Sequence, residues 1–157
     1  MEDYRFAPES LSTNPYYIHL ENEFIPWAPL QKPLSGSKVC LVTMGGLYLP
    51  NQTPFSDEGN QGDHTFRVLP RSVCTGDYLI AHTHYEHKWV MEDINCLLPI
   101  DTFRDLEAEG SIGMIADHHF SFMGSIPNPV QLVADTAPHV ANLMVSDGVD
   151  ISVLTPT

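Results

Sequence analysis

From Lys38 onward the sequence alternates short apolar runs with segments of helical period, and that alternation leaves few architectures open. Lys38 to Thr43, KVCLVT, is β-rich and apolar and reads as a first core strand. Tyr78-Leu79-Ile80-Ala81, too short for a solitary helix and bounded by Gly76-Asp77, reads as a buried second strand. Ile112 to Ala116 and Asp150 to Leu154 read as the third and fourth. Between them, Ile100, Phe103 and Leu106 share one face of a helix that begins near Pro99 and ends at Gly110. A second helix starts at Asn128 and Pro129, carries the stripe Val130, Val133, Ala137, Val140, Ala141 and Met144, and closes at Gly148. Pro138 should kink or divide it, with Thr136 as a second cap. Strand–helix alternation at these spacings implies right-handed βαβ units. The expected fold is α/β, a mostly parallel sheet with helices on its faces in a Rossmann- or flavodoxin-like three-layer arrangement. No helix follows Leu154 to cover the sheet, so the fold is expected to be incomplete at the C-terminus.

Residues 1–35 differ from the rest. Pro8, Pro15, Pro26, Pro29 and Pro33 forbid a long helix, and Tyr4, Tyr16, Tyr17, Phe24 and Trp27 can anchor an extended arm. One short helical turn is expected near Tyr16 to Glu23, and residues 36–157 should form the α/β domain. A net charge of −13 with seven Lys and Arg excludes nucleic acid as a partner class. The N-terminus has no signal-peptide pattern and no segment is apolar enough for a membrane span. Three widely spaced cysteines, Cys40, Cys74 and Cys96, argue against a disulfide framework and for a reducing cytoplasm. An open sheet edge would favour a homo-oligomer.

In parallel sheets ligands sit outside the carboxyl ends of the strands. Those ends carry Gly45-Gly46, His82-Thr83-His84, Phe122-Met123-Gly124 and Thr155-Pro156-Thr157. His82, His84 and Asp93 are the candidate catalytic groups, with a carboxylate fixing a histidine tautomer and tuning its basicity. Gly45, Gly46, His64, Asn95, Met123, Gly124 and Thr155 are the candidate substrate-binding residues. Pro50 to Gly62 is a loop of lid-like length. At least one of His118 and His119, which follow a strand, should be structural.

His82, His84 and His87 spell H-x-H-x-x-H, a pattern that can ligate zinc or form a hydrogen-bonded polar rim. Over six residues it resembles the metal motif of metallo-β-lactamase-fold hydrolases, with Glu86 where those carry Asp. A metal-dependent hydrolase is therefore one alternative. A non-catalytic interaction module, acting through the aromatic arm and the acidic surface, is another.

Several motifs in order resemble one family. They are Phe24-Ile-Pro-Trp27 with Lys32-Pro-Leu34, Val42-Thr-Met-Gly-Gly46, Gly62-Asp-His64 with Phe66-Arg67, and His82-Thr-His-Tyr-Glu-His87. Asp93-Ile-Asn95, Phe120-Ser-Phe-Met-Gly124, Asp147-Gly-Val-Asp150 and Leu154-Thr-Pro-Thr157 continue the series. Together they resemble the selenoprotein B component of glycine, sarcosine and betaine reductases, with D-proline reductase as a relative. The resemblance implies an oxidoreductase that cleaves the carbon–nitrogen bond of a small amino acid or amine. It implies a pyruvoyl-containing partner subunit, and a selenocysteine or cysteine nucleophile following the position of Thr157 on a βα turn. No cofactor is then expected within residues 1–157, and these residues alone should not catalyse the reaction. Glu86 and Met44 depart from the family's commoner residues, which leaves the substrate open.

Overall fold

The structure, a computed structural model, describes residues 28–56, 62–83 and 85–156. The proposed aromatic arm as far as residue 27, its helical turn at 16–23, the middle of the 50–62 loop and His84 lie outside the described residues.

Strand β1, Lys38–Thr43, organises the fold, and all of its residues after Lys38 are buried. A run with no polar alternation must be covered on both faces, and it is. Val39 and Leu41 join an apolar cluster with Leu69, Leu97, Leu98 and Ile100, while Cys40 and Val42 join another with Ala116, Phe120 and Val140. Around β1 the chain adds β2 (Leu47–Tyr48), β3 (Arg67–Pro70), β4 (Leu79–Ile80), β5 (Met114–Ile115), β6 (His118–Ser121) and β7 (Ile151–Thr155). β5, β6 and β7 pair with β1 in parallel, and β3 pairs antiparallel with β6. The result is a mixed α/β domain with a curled sheet. Helix α1 (Lys88–Glu92) precedes a 3₁₀ turn at Ile94–Cys96, and α2 (Ile100–Ala108) and α3 (Ala137–Ser146) follow. Among the described residues no helix is long and apolar enough to cross a membrane.

β5 and β6 act as one interrupted strand on the same side of β1. Val39 pairs with Ile115 and Val42 with Phe120, three steps on one strand against five on the other. The two extra residues form a bulge that carries β6 away from the middle of β1. Leu41 N–H, which faces that gap, donates instead to His119 Nδ1 at 3.0 Å. A side chain thus replaces a ladder carbonyl, which explains why a histidine is fully buried in the sheet.

The structure departs from the sequence expectations at several points. The Tyr78–Ala81 run is not a strand of the main sheet: only Leu79–Ile80 is extended, pairing antiparallel with Leu47–Tyr48, and Leu79 is exposed. The Gly45-Gly46 turn leads from β1 into β2, and the apolar run pairs with β2 rather than with β1. Arg67 to Pro70, to which the sequence assigned no strand, pairs with the free edge of β6 as β3. Thr136 makes no side-chain cap, while the helix does change at the proline as expected: a π-helical segment ends at Thr136 and α3 begins at Ala137 with Pro138 in its first turn. A π-turn at Leu132–Thr136, closed by Ala137 N–H to the Leu132 carbonyl, widens the helix ahead of the proline that lacks a donor.

Candidate functional site

The end of β1 is where the predicted residues meet. Met44 N–H donates to the Thr155 carbonyl at 3.1 Å, joining the ends of β1 and β7. Gly45 N–H donates to Thr43 Oγ1, Gly46 N–H to the Phe122 carbonyl, and the Gly46 carbonyl accepts from Ala81 N–H. Gly46 has φ 65°, the left-handed region. A Cβ there would lie 3.0 Å from the amide nitrogen and Cβ of His82 and from Met123 Sδ. At Gly45 a Cβ would meet Leu97 Cδ1 at 2.5 Å. The glycine pair thus lets three segments close on one point, and Thr155 joins them by sharing its hydroxyl proton between the Leu97 and Val42 carbonyls.

His82 is 4% exposed. Its ring packs on Tyr85 with centroids 4.9 Å apart, and Tyr85 packs on His87 at 4.8 Å. Tyr85 O–H donates to the Gly45 carbonyl at 3.0 Å. Burial pushes its phenol up to about 12, so it remains a donor at ordinary pH. His87 Nε2 lies 2.6 Å from the His82 carbonyl. A carbonyl only accepts, so His87 carries its proton on Nε2 and donates. His82 is therefore braced from both sides, through its ring and through its backbone.

Gly45, Gly46, His82, Met123 and Thr155 come together at this rim, and Gly124 follows Met123 as the chain leaves it. Other predicted residues lie elsewhere. Asp93 Oδ1 accepts from the backbone N–H and side-chain amide of Asn95, at 2.9 and 2.8 Å. The hydrogen bonds from the Asn95 side chain and backbone hold the Asp93 carboxyl below the usual carboxylate range. Asn95 also bonds Asp101 in both directions. Asp93 and Asn95 line a cleft of about 250 Å³ with Tyr78, Met91, Glu92 and Asp101, and His82 does not line it.

His64 lines a separate hollow of about 200 Å³ with His139, Asp135 and Thr136, against the π-turn of the α3 helix. The two ends of the 50–62 loop are pinned nearby, because Asp63 Oδ2 accepts from Ser56 N–H and Arg67 reaches the Thr53 and Pro54 carbonyls.

Among the described residues no group of three His, Cys, Asp or Glu side chains could hold a metal ion, and the Nε2 of His87 is occupied by a carbonyl. Cys40 is buried in the sheet, and its thiol is pushed up to about 12, first by burial and then by Asp147, so it is no thiolate nucleophile.

Two residues escaped sequence reasoning. Tyr85 sits inside the histidine motif and was open to recognition as an aromatic brace. Leu97 had no sequence signal, since its role depends on the 3₁₀ turn bringing it against Gly45.

The family model for the glycine/sarcosine/betaine reductase selenoprotein B matches residues 9–157. D-proline reductase subunit gamma of Acetoanaerobium sticklandii is 34% identical over 129 residues, covering 82% of this chain and 52% of that subunit. The sarcosine reductase complex component B subunit beta of Peptoclostridium acidaminophilum is 30% identical over 137 residues, 85% of this chain and 31% of the relative. The glycine reductase complex component B subunit gamma of Carboxydothermus hydrogenoformans is 28% identical over 136 residues, again 85% and 31%. The chain thus spans about half the length of the first relative and under a third of the other two. No solved structure matches.

Proposed function

We propose a function on the strength of one finding: the chain belongs to the glycine/sarcosine/betaine reductase selenoprotein B family. It supplies part of the substrate site of a reductase complex component that cleaves the carbon–nitrogen bond of a small amino acid or amine. The observation that carries this is the convergence of Gly45, Gly46, His82, Met123 and Thr155 at the end of β1. The soft nucleophile, a selenol or thiol, lies outside residues 1–157, and a pyruvoyl group on a partner subunit supplies an electrophilic carbonyl for primary amines.

The work of this chain is to bind, orient and move a proton. When a selenolate or thiolate attacks the α-carbon, the new bond forms as the carbon–nitrogen bond breaks, and the electron pair leaves with nitrogen, which needs a proton. His82, braced by Tyr85 and His87, is the group we assign to hold that proton, with His84 beside it in sequence. The Gly45-Gly46 turn seats His82, Met123 and Leu97 against the backbone and so fixes where His82 stands at the rim. Thr155 ends β7 beside Met44, so a residue following that strand would emerge at the same rim.

The finer fold reading, a Rossmann- or flavodoxin-like three-layer domain acting in the cytoplasm as a homo-oligomer, is part of the same proposal. Two-sided burial of β1 and its three parallel neighbours support the layered arrangement. The test is product formation from glycine, sarcosine, betaine and D-proline by a polypeptide extended past Thr157 and assembled with its partner subunits. Turnover of one substrate, lost in the His82→Gln variant, is the expected result. Inactivity on all four in a correctly assembled complex would overturn the reading.

A further inference from the structure

The hollow beside the π-turn gathers polar side chains that the reductase reading leaves unused. It measures about 200 Å³ and is lined by His64, Thr65, Phe66, Asp135, Thr136 and His139. Thr136 is only 9% exposed. A threonine in a helix commonly bonds the carbonyl four residues back; here that is the Leu132 carbonyl, which receives the Ala137 N–H closing the π-turn instead. Among the described residues, none bonds the Thr136 hydroxyl, the Asp135 carboxylate or the His64 ring. The hydroxyls of Tyr78 and Ser121 are shut off from solvent, but that of Thr136 is not, so it opens into the hollow. The His139 ring stands edge-on to Phe66 with centroids 5.4 Å apart, and Phe66 rests in turn on Phe120 and Phe122. The core therefore holds this imidazole in place while its nitrogens stay unbonded.

We propose that this hollow binds a small α-amino acid in its zwitterionic form, at a site separate from the β1 rim. The lining selects the charge. A simple anion would face the Asp135 carboxylate, and a simple cation would leave the donors of His64, Thr136 and His139 without an acceptor. A metal ion would need a third ligand, and among the described residues no group of three His, Cys, Asp or Glu can hold one. A zwitterion suits every group present. Its ammonium donates to Asp135, and its carboxylate accepts from the Thr136 O–H and from one N–H on each histidine. Phe66 and the Thr136 methyl offer an apolar side for a short side chain. At ~30 Å³ per water the hollow has the volume of roughly six waters, which matches a molecule of about five to eight non-hydrogen atoms. The proposal goes beyond the reductase reading and stands without it, because none of the residues placed at the β1 rim lines the hollow.

The test titrates the full chain with glycine and D-proline as zwitterions, acetate as the anion and methylamine as the cation, reading amide chemical shifts. The expected result is saturable shifts at residues 64–66, 135–137 and 139 with glycine or D-proline, and binding of acetate and methylamine weaker by tenfold or more. Asp135→Asn should weaken the zwitterion about tenfold, and Thr136→Val, which keeps the shape and removes the hydroxyl, should weaken it several-fold. Asp135 is exposed, so its variant keeps the test decisive even where Thr136→Val folds poorly. Acetate or methylamine binding as tightly as the zwitterions would overturn the assignment, as would binding undiminished by Asp135→Asn. Shifts confined to residues 44–46, 82 and 122–124 would put the amino acid at the β1 rim alone, which favours the reductase reading and removes this one. Absence of any saturable shift up to about 100 mM overturns it too.

Discussion

His82 and His119 are both buried, yet their surroundings give them opposite characters. His119 lies in β6 across from Leu69, and its Nδ1 accepts the one β1 amide that the bulge leaves unserved. Burial, and then the positive charges of Arg104 and Arg71, push its pKa down to about 4. It is a neutral acceptor built into the sheet, with its Nε2 unpaired. His82 instead follows a two-residue strand at the end of the sheet, and its ring is held by an aromatic neighbour while its carbonyl anchors His87. His119 serves the ladder, and His82 is held at the strand ends, where we propose that it acts. Burial alone does not distinguish them; the element that carries each one does.

The sharpest way to break this contrast is to exchange each side chain. In the assembled reductase, His82→Gln should lower the rate of product formation by about 10²–10⁴-fold, while urea denaturation of the chain shifts by under about 1 kcal/mol. A large stability loss without a rate effect would make His82 a second structural histidine.

The next effect is on pH dependence. The folded state holds His119 near 4 against 6.5 when unfolded, so between those values the unfolded chain binds more protons. Stability is therefore complete above pH 6.5 and falls as pH drops toward 4, by on the order of 3 kcal/mol. Urea unfolding of His119→Gln at pH 7 and pH 4.5 should show a flatter dependence, and an unchanged slope would assign the loss to other groups.

Gly46→Ala sharpens the comparison from the backbone side. With φ 65° and a Cβ 3.0 Å from His82 and Met123, it should cost about 2 kcal/mol by the same assay. Smallest is Tyr85→Phe, which removes the hydrogen bond to the Gly45 carbonyl and should cost about 1 kcal/mol. It should also slow product formation by the assembled complex, and an unchanged rate would show that turnover does not depend on this brace.

Much of this was legible in the chain itself. KVCLVT had no alternation and so had to be a strand buried on both faces. Ile100, Phe103 and Leu106 read as one helix face, and Gly110 and Gly148, with φ 74° and 69°, end their helices as glycines do. Gly45-Gly46 and Thr155 stand at the ends of apolar runs that form main-sheet strands, whereas His82 follows a run that pairs with β2 instead. The family motifs confirmed the order of those segments without any coordinates.

What the sequence could not carry was partnership across distance. That Tyr78 to Ala81 would join β2 rather than the main sheet depended on which edge lay nearest after the Gly45-Gly46 turn. That Asp93 would bond Asn95 and face another cleft depended on the 3₁₀ turn that follows it. The sequence by itself determined which segments are apolar, where they stop and which residues stand at their ends, because these follow from local period and backbone freedom. Only the tertiary structure decided which histidine serves the sheet and which serves the rim, because a hydrogen bond such as Leu41 to His119 joins residues far apart in the chain and exists only once the bulge has opened a place for it.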